Sequence, residues 1–252
     1  MFEKSSVTVI VKAYPQPSKK HAETVCCAGI DPLGNWRRLF PVRFRQLSGH
    51  QAFSRWDIVQ FSYSRPTDDN RQESCRVHEE TILVTGTVTK DTEKESIVAR
   101  AIVPSEKFAI ANNMSLALVR PRGVRFKYRR RSLSELEEMR YDFAAQAKQA
   151  TMFDKDLDLI EPCPFEFRMQ YDDDDGPHEK ICGDWETSAA FFNLRRYYAE
   201  QDVLRHLEQK YIEEYPLKGL VFALGNMKKR PQTWQLLGVF PCAPTTQLTL
   251  KL

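Results

Sequence analysis

Short apolar runs alternate with turn signals in the first part of the chain. The run at residues 7–14 is rich in β-branched side chains and stops at Pro15 and Pro17, which predicts a strand followed by a loop. Similar runs cover residues 23–30, 36–40, 56–63, 82–88 and 97–102. Several short strands at this spacing are typical of a small barrel or sandwich. The pattern therefore predicts a small β-barrel over roughly residues 5–105.

The pattern changes in the second half of the chain. Ser132 followed by Glu135 is a capping box, and apolar residues then recur at helical spacing, which predicts a helix to about residue 151. Residues 165–171 alternate apolar and polar positions in period two, as in a half-buried strand. The remaining predicted elements are one or two helices at residues 184–214 and strands at residues 220–224 and 234–240. This half is predicted to be α+β, with the order β-α-β-β.

Together these patterns predict an α+β protein of two domains. Residues 1–131 form a small basic β-barrel with a basic extension, and residues 132–252 form an acidic α+β domain. No run approaches the roughly 18 apolar residues of a membrane span, and the first residues lack the features of a signal peptide. Six scattered cysteines include no CxxC pair. We therefore expect a cytoplasmic protein with free thiols and no membrane partner.

The charge is unevenly divided between the two halves. Residues 1–131 contain 23 Lys and Arg against 13 Asp and Glu, whereas residues 132–252 contain 14 against 21. The cations of the first half concentrate at residues 36–45, among aromatic residues, and at residues 120–131, where seven cations stand without an acid. Basic clusters interleaved with aromatic residues are typical of nucleic-acid-binding surfaces. Nucleic acid is therefore the leading predicted partner.

The two basic stretches and the cations before them supply the candidate contacts. The candidate nucleic-acid-binding residues are Lys19, Lys20, Trp36, Arg37, Arg38, Arg43, Arg45, Arg120, Arg122, Arg125, Lys127, Arg129, Arg130 and Arg131. Trp36, Phe40 and Phe44 offer rings on which a base can stack. The alternative is that these rings belong to the core, because neither face of a strand at residues 36–41 is purely basic. For residues 120–131 the alternative is a solvated linker.

The first basic stretch belongs to a longer set of sequence blocks. These blocks are residues 12–15, 18–20, 23–26, 29–30, 36–45, 56–57 and 71–74, and in the second half residues 165–168, 184–186 and 219–226. They resemble a group of uncharacterised prokaryotic proteins over most of the chain, and the resemblance implies a bacterial defence or DNA-processing system. A weaker analogy, based on strand number and basic character, is to PUA-like barrels such as the ASCH and EVE domains. That analogy implies binding of RNA or of modified DNA bases.

A carboxylate-rich segment follows the strand at residues 165–171. His178, Asp184 and Glu186 form a candidate metal-dependent nuclease site, in which the carboxylates hold Mg²⁺ and His178 assists an attacking water. Mg²⁺ is expected as a cofactor only under this alternative. A helix N-cap at Asp184 with Glu186 in the first turn explains the same residues without a metal. The aspartates at residues 172–175 are predicted to form an exposed loop.

A second possible metal set consists of Cys163, His178 and Cys182, because zinc is commonly held by cysteine and histidine. No CxxC pair accompanies them, and the similar prokaryotic proteins have a cysteine close to the position of Tyr171 and Asp172. This departure argues against zinc, and no metal site is predicted from these residues. The absence of a glycine-rich phosphate loop, a GxSxG elbow and an HExxH motif argues against nucleotide hydrolysis, esterase chemistry and zinc proteolysis.

Three functions stay open on the sequence. The leading one is a nucleic-acid-binding module, and the second is the metal-dependent nuclease. The third is a scaffold or subunit-interaction protein, in which the basic and acidic halves pair within the chain or the acidic half binds a protein partner. The sequence does not distinguish DNA from RNA, or single from double strands.

Overall fold

A computed structural model describes residues 2–14, 25–43, 46–150, 160–228 and 230–244. Strands make up 45% and helices 27%, which confirms the α+β class. The helices are α1 (Asp91–Ala99), α2 (Glu106–Ala111), α3 (Leu133–Ala150), α4 (Trp185–Leu194), α5 (Glu200–Gln209) and α6 (Tyr215–Leu217), with a 3-10 turn at Gly49–Gln51 and a π-helical segment at Lys210–Glu214. Within the described ranges, no helix combines the length and apolarity that a membrane crossing needs.

Five strands form the N-terminal sheet. They are β1 (Glu3–Lys12), β2 (Val25–Ile30), β3 (Trp36–Val42), β4 (Asp57–Ser64) and β5 (Ser74–Thr87). Their pairing order is β1-β2-β3-β5-β4, and β4 pairs in turn with β1. All of these pairs are antiparallel except β3 with β5, which run parallel where Arg38–Phe40 meets Ser74–Arg76. Five of the six strands predicted in this part of the chain are confirmed.

The prediction of a sixth strand at residues 97–102 is wrong. These residues overlap α1, which has two acidic residues in its first turn, where they complement the positive end of the helix dipole. The apolar residues that suggested a strand form the last turn of this helix, and Val98 packs into the core. Ile102, beyond the helix, makes an isolated bridge to Leu118. A short apolar run of this kind fits a strand or a helix end equally well.

A central sheet is buried on both of its faces. It consists of β6 (Leu116–Val119), β10 (Leu220–Met227) and β11 (Arg230–Pro241), in the order β11-β10-β6. On β10, Val221 and Ala223 pack into the core of the N-terminal sheet, whereas Phe222 and Leu224 pack into a second core. Successive side chains of a strand point to opposite faces, so an uninterrupted apolar run suits a doubly buried strand. The two cores therefore share this sheet.

An outer sheet lies on the far side of the second core. Its strands are β7 (Arg122–Arg130), β8 (Phe165–Asp173) and β9 (Gly176–Ile181), paired in that order. Phe126 from β7 and Phe167 from β8 stack with their ring centroids 5.5 Å apart. Phe191 from α4 and Leu207 from α5 complete this core.

The predicted element order β-α-β-β for the second half is incomplete, because it does not include strand β9. The aspartates at residues 172–175 end β8 and form the turn of the β8–β9 hairpin, so they are not an open loop. Asp173 is buried, and the exposed-loop prediction is wrong for this residue. Strand β9 pairs only with β8 within the described residues and is half-buried or exposed throughout, so its sequence has no apolar period by which to find it.

The helix predicted from the capping box is confirmed as α3. The Glu135 backbone N–H donates to Ser132 Oγ at 3.2 Å, and the Ser132 backbone N–H donates to Glu135 Oε2 at 2.8 Å. These two reciprocal bonds satisfy N–H groups that the start of a helix leaves without partners.

The segment before the predicted domain boundary contributes to the sheets of the second half. Strand β6 pairs with β10, and β7 pairs with β8. The basic extension at residues 116–130 therefore packs with strands that follow it in the chain. The division into residues 1–131 and 132–252 stays a prediction.

Gly219 connects α6 to β10, and its substitution tests how tightly this junction is packed. Its φ of +77° lies in the left-handed region, and an added Cβ would lie 2.6 Å from Ala243 Cα. Gly219→Ala should therefore lower the free energy of unfolding by at least about 2 kcal/mol, measured by urea denaturation. Gly86→Ala is the matched control, because its added Cβ would lie 3.8 Å from Ile58 Cδ1, and it should change stability by less than about 1 kcal/mol. Equal effects of the two substitutions would contradict the tight junction.

Candidate functional site

Strand β7 carries most of the second basic stretch, and its cations face carboxylates of the second half. The ion pairs are Arg122–Asp174, Lys127–Glu179, Arg129–Glu135, Arg129–Glu166, Arg130–Glu200 and Arg131–Glu166. The stretch is thus a strand and not a linker. Arg125 is exposed and has no ion pair among the described residues. Most of the positive charge in this stretch is balanced within the chain.

The alternation of β7 explains this arrangement. Phe126 and Tyr128 lie on the side of the second core, whereas Lys127 and Arg129 lie on the opposite face, across from Arg168 and Glu166 of β8. Glu166 is buried and lies within ion-pair distance of Arg129, Arg131 and Arg168. Burial alone would raise the pKa of Glu166, but the neighbouring guanidinium groups outweigh it and lower the pKa. This face of the sheet is an ion-pair network.

The first basic stretch is also mostly paired. Arg37 contacts Asp31 at 3.2 Å, and Arg43 contacts Glu79 at 2.7 Å. Trp36 is half-buried and packs against the core of the N-terminal sheet, as the alternative reading of these aromatics expects. Four further predicted contacts, at Lys19, Lys20, Phe44 and Arg45, lie outside the described residues.

Arg120 lies at a cavity of about 450 Å³. Its Nη1 donates to the Cys242 carbonyl at 2.8 Å. The other lining residues are mostly apolar and include Val124, Ile212 and Leu220. Arg120 therefore links the segment between β6 and β7 to the end of β11. It does not belong to the exposed cations of β7.

Asp184 is the N-cap of α4, as the alternative to the nuclease reading predicts. Its side chain is fully buried, and both carboxylate oxygens have partners. Oδ1 accepts from Arg55 Nη2 at 2.9 Å and from the Glu186 backbone N–H at 3.2 Å, and Oδ2 accepts from the Val239 backbone N–H at 3.0 Å. A carboxylate used in this way ties α4 to β11 and to the N-terminal half.

The other two residues of the candidate nuclease site have partners of their own. Glu186 pairs with Lys12 at 2.7 Å, and His178 Nε2 lies 2.9 Å from Asp173 Oδ2. Among the residues that the structure describes, no three His, Cys, Asp or Glu side chains gather as metal ligands, and this also applies to the set with Cys163 and Cys182. The structure therefore gives His178, Asp184 and Glu186 separate neighbours, and among the described residues it brings no metal site together from them.

A different group of cations gathers where the β4–β5 loop meets the β10–β11 turn. We call this group the loop-hairpin patch, and its members are Arg65, Arg71, Arg76, Lys228 and Arg230. Asp68 contacts both segments, because it accepts from Lys228 Nζ at 2.8 Å and lies 3.3 Å from Arg76 Nη2. Arg71 Nη1 donates to the Asn226 carbonyl at 3.2 Å. With Asp68, Asp69 and Glu73 included, these residues carry a net charge of +2.

A buried polar layer supports the patch. Arg38 Nη2 donates to the Ser115 carbonyl and to Ser115 Oγ, both at 3.0 Å, and Ser115 Oγ donates to Glu73. Asp69 Oδ2 accepts from Arg71 Nη2 at 2.7 Å and from Ser74 Oγ at 2.8 Å. These bonds join β3 and the β4–β5 loop to the start of β6 and the end of β10. Both halves of the chain therefore contribute the residues that hold the patch in place.

The sequence marked residues 71–74 and 219–226 as two of the blocks shared with the similar prokaryotic proteins. It did not predict that these two blocks contact each other in the fold. Lys228 and Asp68 are 160 positions apart. The run Lys228-Lys229-Arg230 in a predicted turn is a local signal for a basic site in the second half.

The pKa of Asp69 gives a test of this buried layer. Burial acts to raise the pKa of Asp69, but hydrogen bonds from Arg71 and Ser74 outweigh it and lower the pKa to about 2. The stabilising effect is therefore fully present above the ordinary pKa of about 4 and is lost as the pH falls towards 2. Asp69→Asn should be less stable than the wild type near neutral pH, and urea denaturation should show this gap narrowing between about pH 4 and about pH 2. A gap that is independent of pH would contradict the assignment.

The buried pair of Arg55 and Asp184 gives a second test. Arg55→Met leaves a fully buried carboxylate without its counterion, so the free energy of unfolding should fall by about 3–5 kcal/mol in urea denaturation. Arg205→Met is the control, because Arg205 pairs with Asp202 on the exposed face of α5, and it should cost less than about 1 kcal/mol. If Arg55→Met lowers the free energy of unfolding no more than the control does, the pair does not hold the two halves together.

Two protein-family models match the chain. The model of Domain of unknown function (DUF8758) matches residues 3–101, and the model of Domain of unknown function (DUF8757) matches residues 101–251. No curated protein and no solved structure matches the chain. Because the second model covers more than half of its residues, the chain belongs to the family described as Domain of unknown function (DUF8757).

Proposed function

We propose that the protein is a nucleic-acid-binding module whose contact surface is the loop-hairpin patch. The observation that carries the proposal is that cations of two distant segments meet at one place. Arg76 and Lys228 share Asp68, and Arg71 donates to the Asn226 carbonyl. Arg65 and Arg230 are exposed neighbours in the same two segments. Clustered Lys and Arg side chains are what a phosphate backbone needs for contact. The proposal thus moves the predicted surface away from β7.

The exposure of the patch supports this choice. The side chains of Arg76, Lys228 and Asp68 are 53%, 43% and 64% exposed. Ion pairs at such exposure contribute little stability, so a phosphate can replace Asp68 as the partner of both cations at low cost. At the end of β7, Arg129 and Arg131 both contact the buried Glu166, and drawing them away to a phosphate would leave a buried charge unpaired.

An exposed ring beside the patch supports contacts with bases. Phe40 stands opposite Arg76 in the parallel register of β3 and β5, and its side chain is 36% exposed. A ring next to a guanidinium group can stack on an unpaired base while the cation contacts the phosphate. This combination favours single-stranded segments over plain duplex.

The predictions about ligand type, biological system and cellular location are part of the same proposal. The analogy to PUA-like barrels, and with it the binding of RNA or modified DNA bases, stays a proposal that rests on strand number and basic character. A bacterial defence or DNA-processing system and a cytoplasmic location stay proposals that rest on the sequence. The nuclease alternative draws no support from the described residues, because Glu186 pairs with Lys12, Asp184 pairs with Arg55, and His178 lies against Asp173.

The main rival is a scaffold or subunit-interaction protein without nucleic acid. The ion pairs of β7 favour it, because they explain most of the basic second stretch by pairing within the chain. They do not involve the cations of the loop-hairpin patch. The two functions therefore differ in what the patch should bind.

The salt dependence of binding tests the proposal. Each phosphate that is neutralised adds about 0.7–0.9 to the slope of log affinity against log salt. Replacing Arg65, Arg76 and Arg230 together with Ala should weaken binding to single-stranded DNA and RNA and reduce the slope by up to about 3 units. Filter binding across a salt series measures both quantities, and the melting temperature shows whether the variant is folded.

A matched variant removes the same charge elsewhere. Arg140, Arg205 and Lys218 are exposed residues on helices or helix ends of the second half. Replacing them together with Ala should leave the slope close to that of the wild type. If both triple variants lose affinity equally, the effect is one of net charge and the patch is not the site. If the wild type binds no single-stranded DNA or RNA at low salt, the scaffold function replaces the proposal.

A further inference from the structure

Two exposed phenylalanine rings lie on the outer face of the N-terminal sheet. Phe2, directly before β1, is 69% exposed, and Phe40 on β3 is 36% exposed. A single exposed apolar side chain is common on any protein, whereas several of them on one face indicate a surface that another molecule covers. The strand pairing decides whether these two rings belong to one surface.

Phe40 belongs to a row of residues that crosses three strands. It stands opposite Arg76 of β5, and Arg76 stands opposite Ser64 of β4. The next pair along β4 and β5, Val77 with Tyr63, points into the core. Because successive side chains of a strand point to opposite faces, Arg76 and Ser64 point outwards beside Phe40.

Phe2 extends this row to a fourth strand. The register of β1 and β4 begins with Glu3 opposite Tyr63, and Phe2 precedes Glu3 on the outward side. The ring of Phe2 contacts that of His78 on β5, with the centroids 4.2 Å apart and the ring planes at 74°. His78 follows Arg76 by two positions and therefore lies on the same face. We call the group of Phe2, Phe40, Arg76 and His78 the ring strip.

Exposed charges accompany the ring strip. Asp68, which contacts Arg76, is an exposed residue, and so is Glu80, which lies 3.9 Å from His78. Lys4 of β1 lies on the same face, is exposed and has no ion pair among the described residues. Exposed ion pairs contribute little stability, so a phosphate can replace these carboxylates at low cost. The strip therefore offers aromatic rings together with cations that are accessible to a ligand.

We propose that the ring strip binds a nucleic-acid strand through two unpaired bases, one stacked on Phe2 and the other on Phe40, with a phosphate between them at Arg76. Three strand spacings of about 4.8 Å separate Phe2 from Phe40 along the sheet, which is about 14 Å in total. Neighbouring bases of a duplex strand are only about 3.4 Å apart, so stacking on both rings requires bases that are neither paired nor stacked on each other. Stacking on an aromatic ring tolerates any base. This inference rests on the proposed function and specifies its ligand as a single-stranded segment without a fixed sequence.

Substitution of Phe2 tests the stacking. Phe2→Ala should weaken the binding of oligo-dT and of oligo-U at least about fivefold in fluorescence anisotropy, because one base loses its stacking partner. The slope of log affinity against log salt and the melting temperature should keep their wild-type values, because no phosphate contact and little buried surface are lost. Phe2→Tyr keeps a ring and should bind like the wild type.

The matched control is Tyr197→Ala, which removes a ring that is 81% exposed in the turn between α4 and α5. It should leave the affinity for both oligonucleotides within about twofold of the wild type. The proposal is overturned if Phe2→Ala binds like the wild type, or if Phe2→Ala and Tyr197→Ala lose affinity equally.

An abasic strand separates base stacking from phosphate contact. It has the same charge as oligo-dT of equal length but no bases, so the wild type should prefer oligo-dT at least about fivefold, and Phe2→Ala should lose most of this preference. Salt-dependent binding of oligo-dT without any preference over the abasic strand would overturn this inference and leave the proposed function standing. If neither strand nor oligo-U binds at low salt, the proposed function fails together with the inference.

Discussion

Both hydrophobic cores of this protein depend on one three-stranded sheet. Strand β10 sends Val221 and Ala223 into the first core and Phe222 and Leu224 into the second. Neither side of the sheet can be exposed to water without uncovering apolar surface, because alternate side chains serve different cores. This constraint ties the five-stranded N-terminal sheet to the outer sheet and fixes where the loops between them meet.

Arginines of the N-terminal half form hydrogen bonds and ion pairs with elements of the second half. Arg38 bonds to Ser115 at the start of β6, Arg55 bonds to Asp184 and to the Val239 carbonyl, and Arg71 bonds to the end of β10. A guanidinium group has several donors in fixed directions, so one side chain can join a carboxylate and a backbone carbonyl from different elements. Of these three arginines, Arg38 is the one that the sequence predicted to bind phosphate.

The charge split of the chain therefore has two outcomes in the fold. The cations of β7 face carboxylates of the acidic half and are balanced there, with the buried Glu166 at the centre of the network. In the loop-hairpin patch the cations outnumber the neighbouring carboxylates, and Arg76 and Lys228 stay exposed. The balance of a sequence segment thus does not predict the charge of a surface, since strand pairing brings distant segments into contact.

The sequence by itself determined the class of the fold and most of its elements. Period-two patterns, β-branched runs and the capping box of Ser132 and Glu135 are local signals, so five N-terminal strands, α3, β8, β10 and β11 were predictable. The N-cap role of Asp184 could be weighed against the metal role, but not decided, from spacing alone. Strand β9 has no apolar period, because it is an edge strand with little buried surface, and residues 97–102 fitted a strand or a helix end equally well. Only the tertiary structure decided the partners of the charges, because an ion pair such as Lys228 with Asp68 depends on packing between segments 160 positions apart.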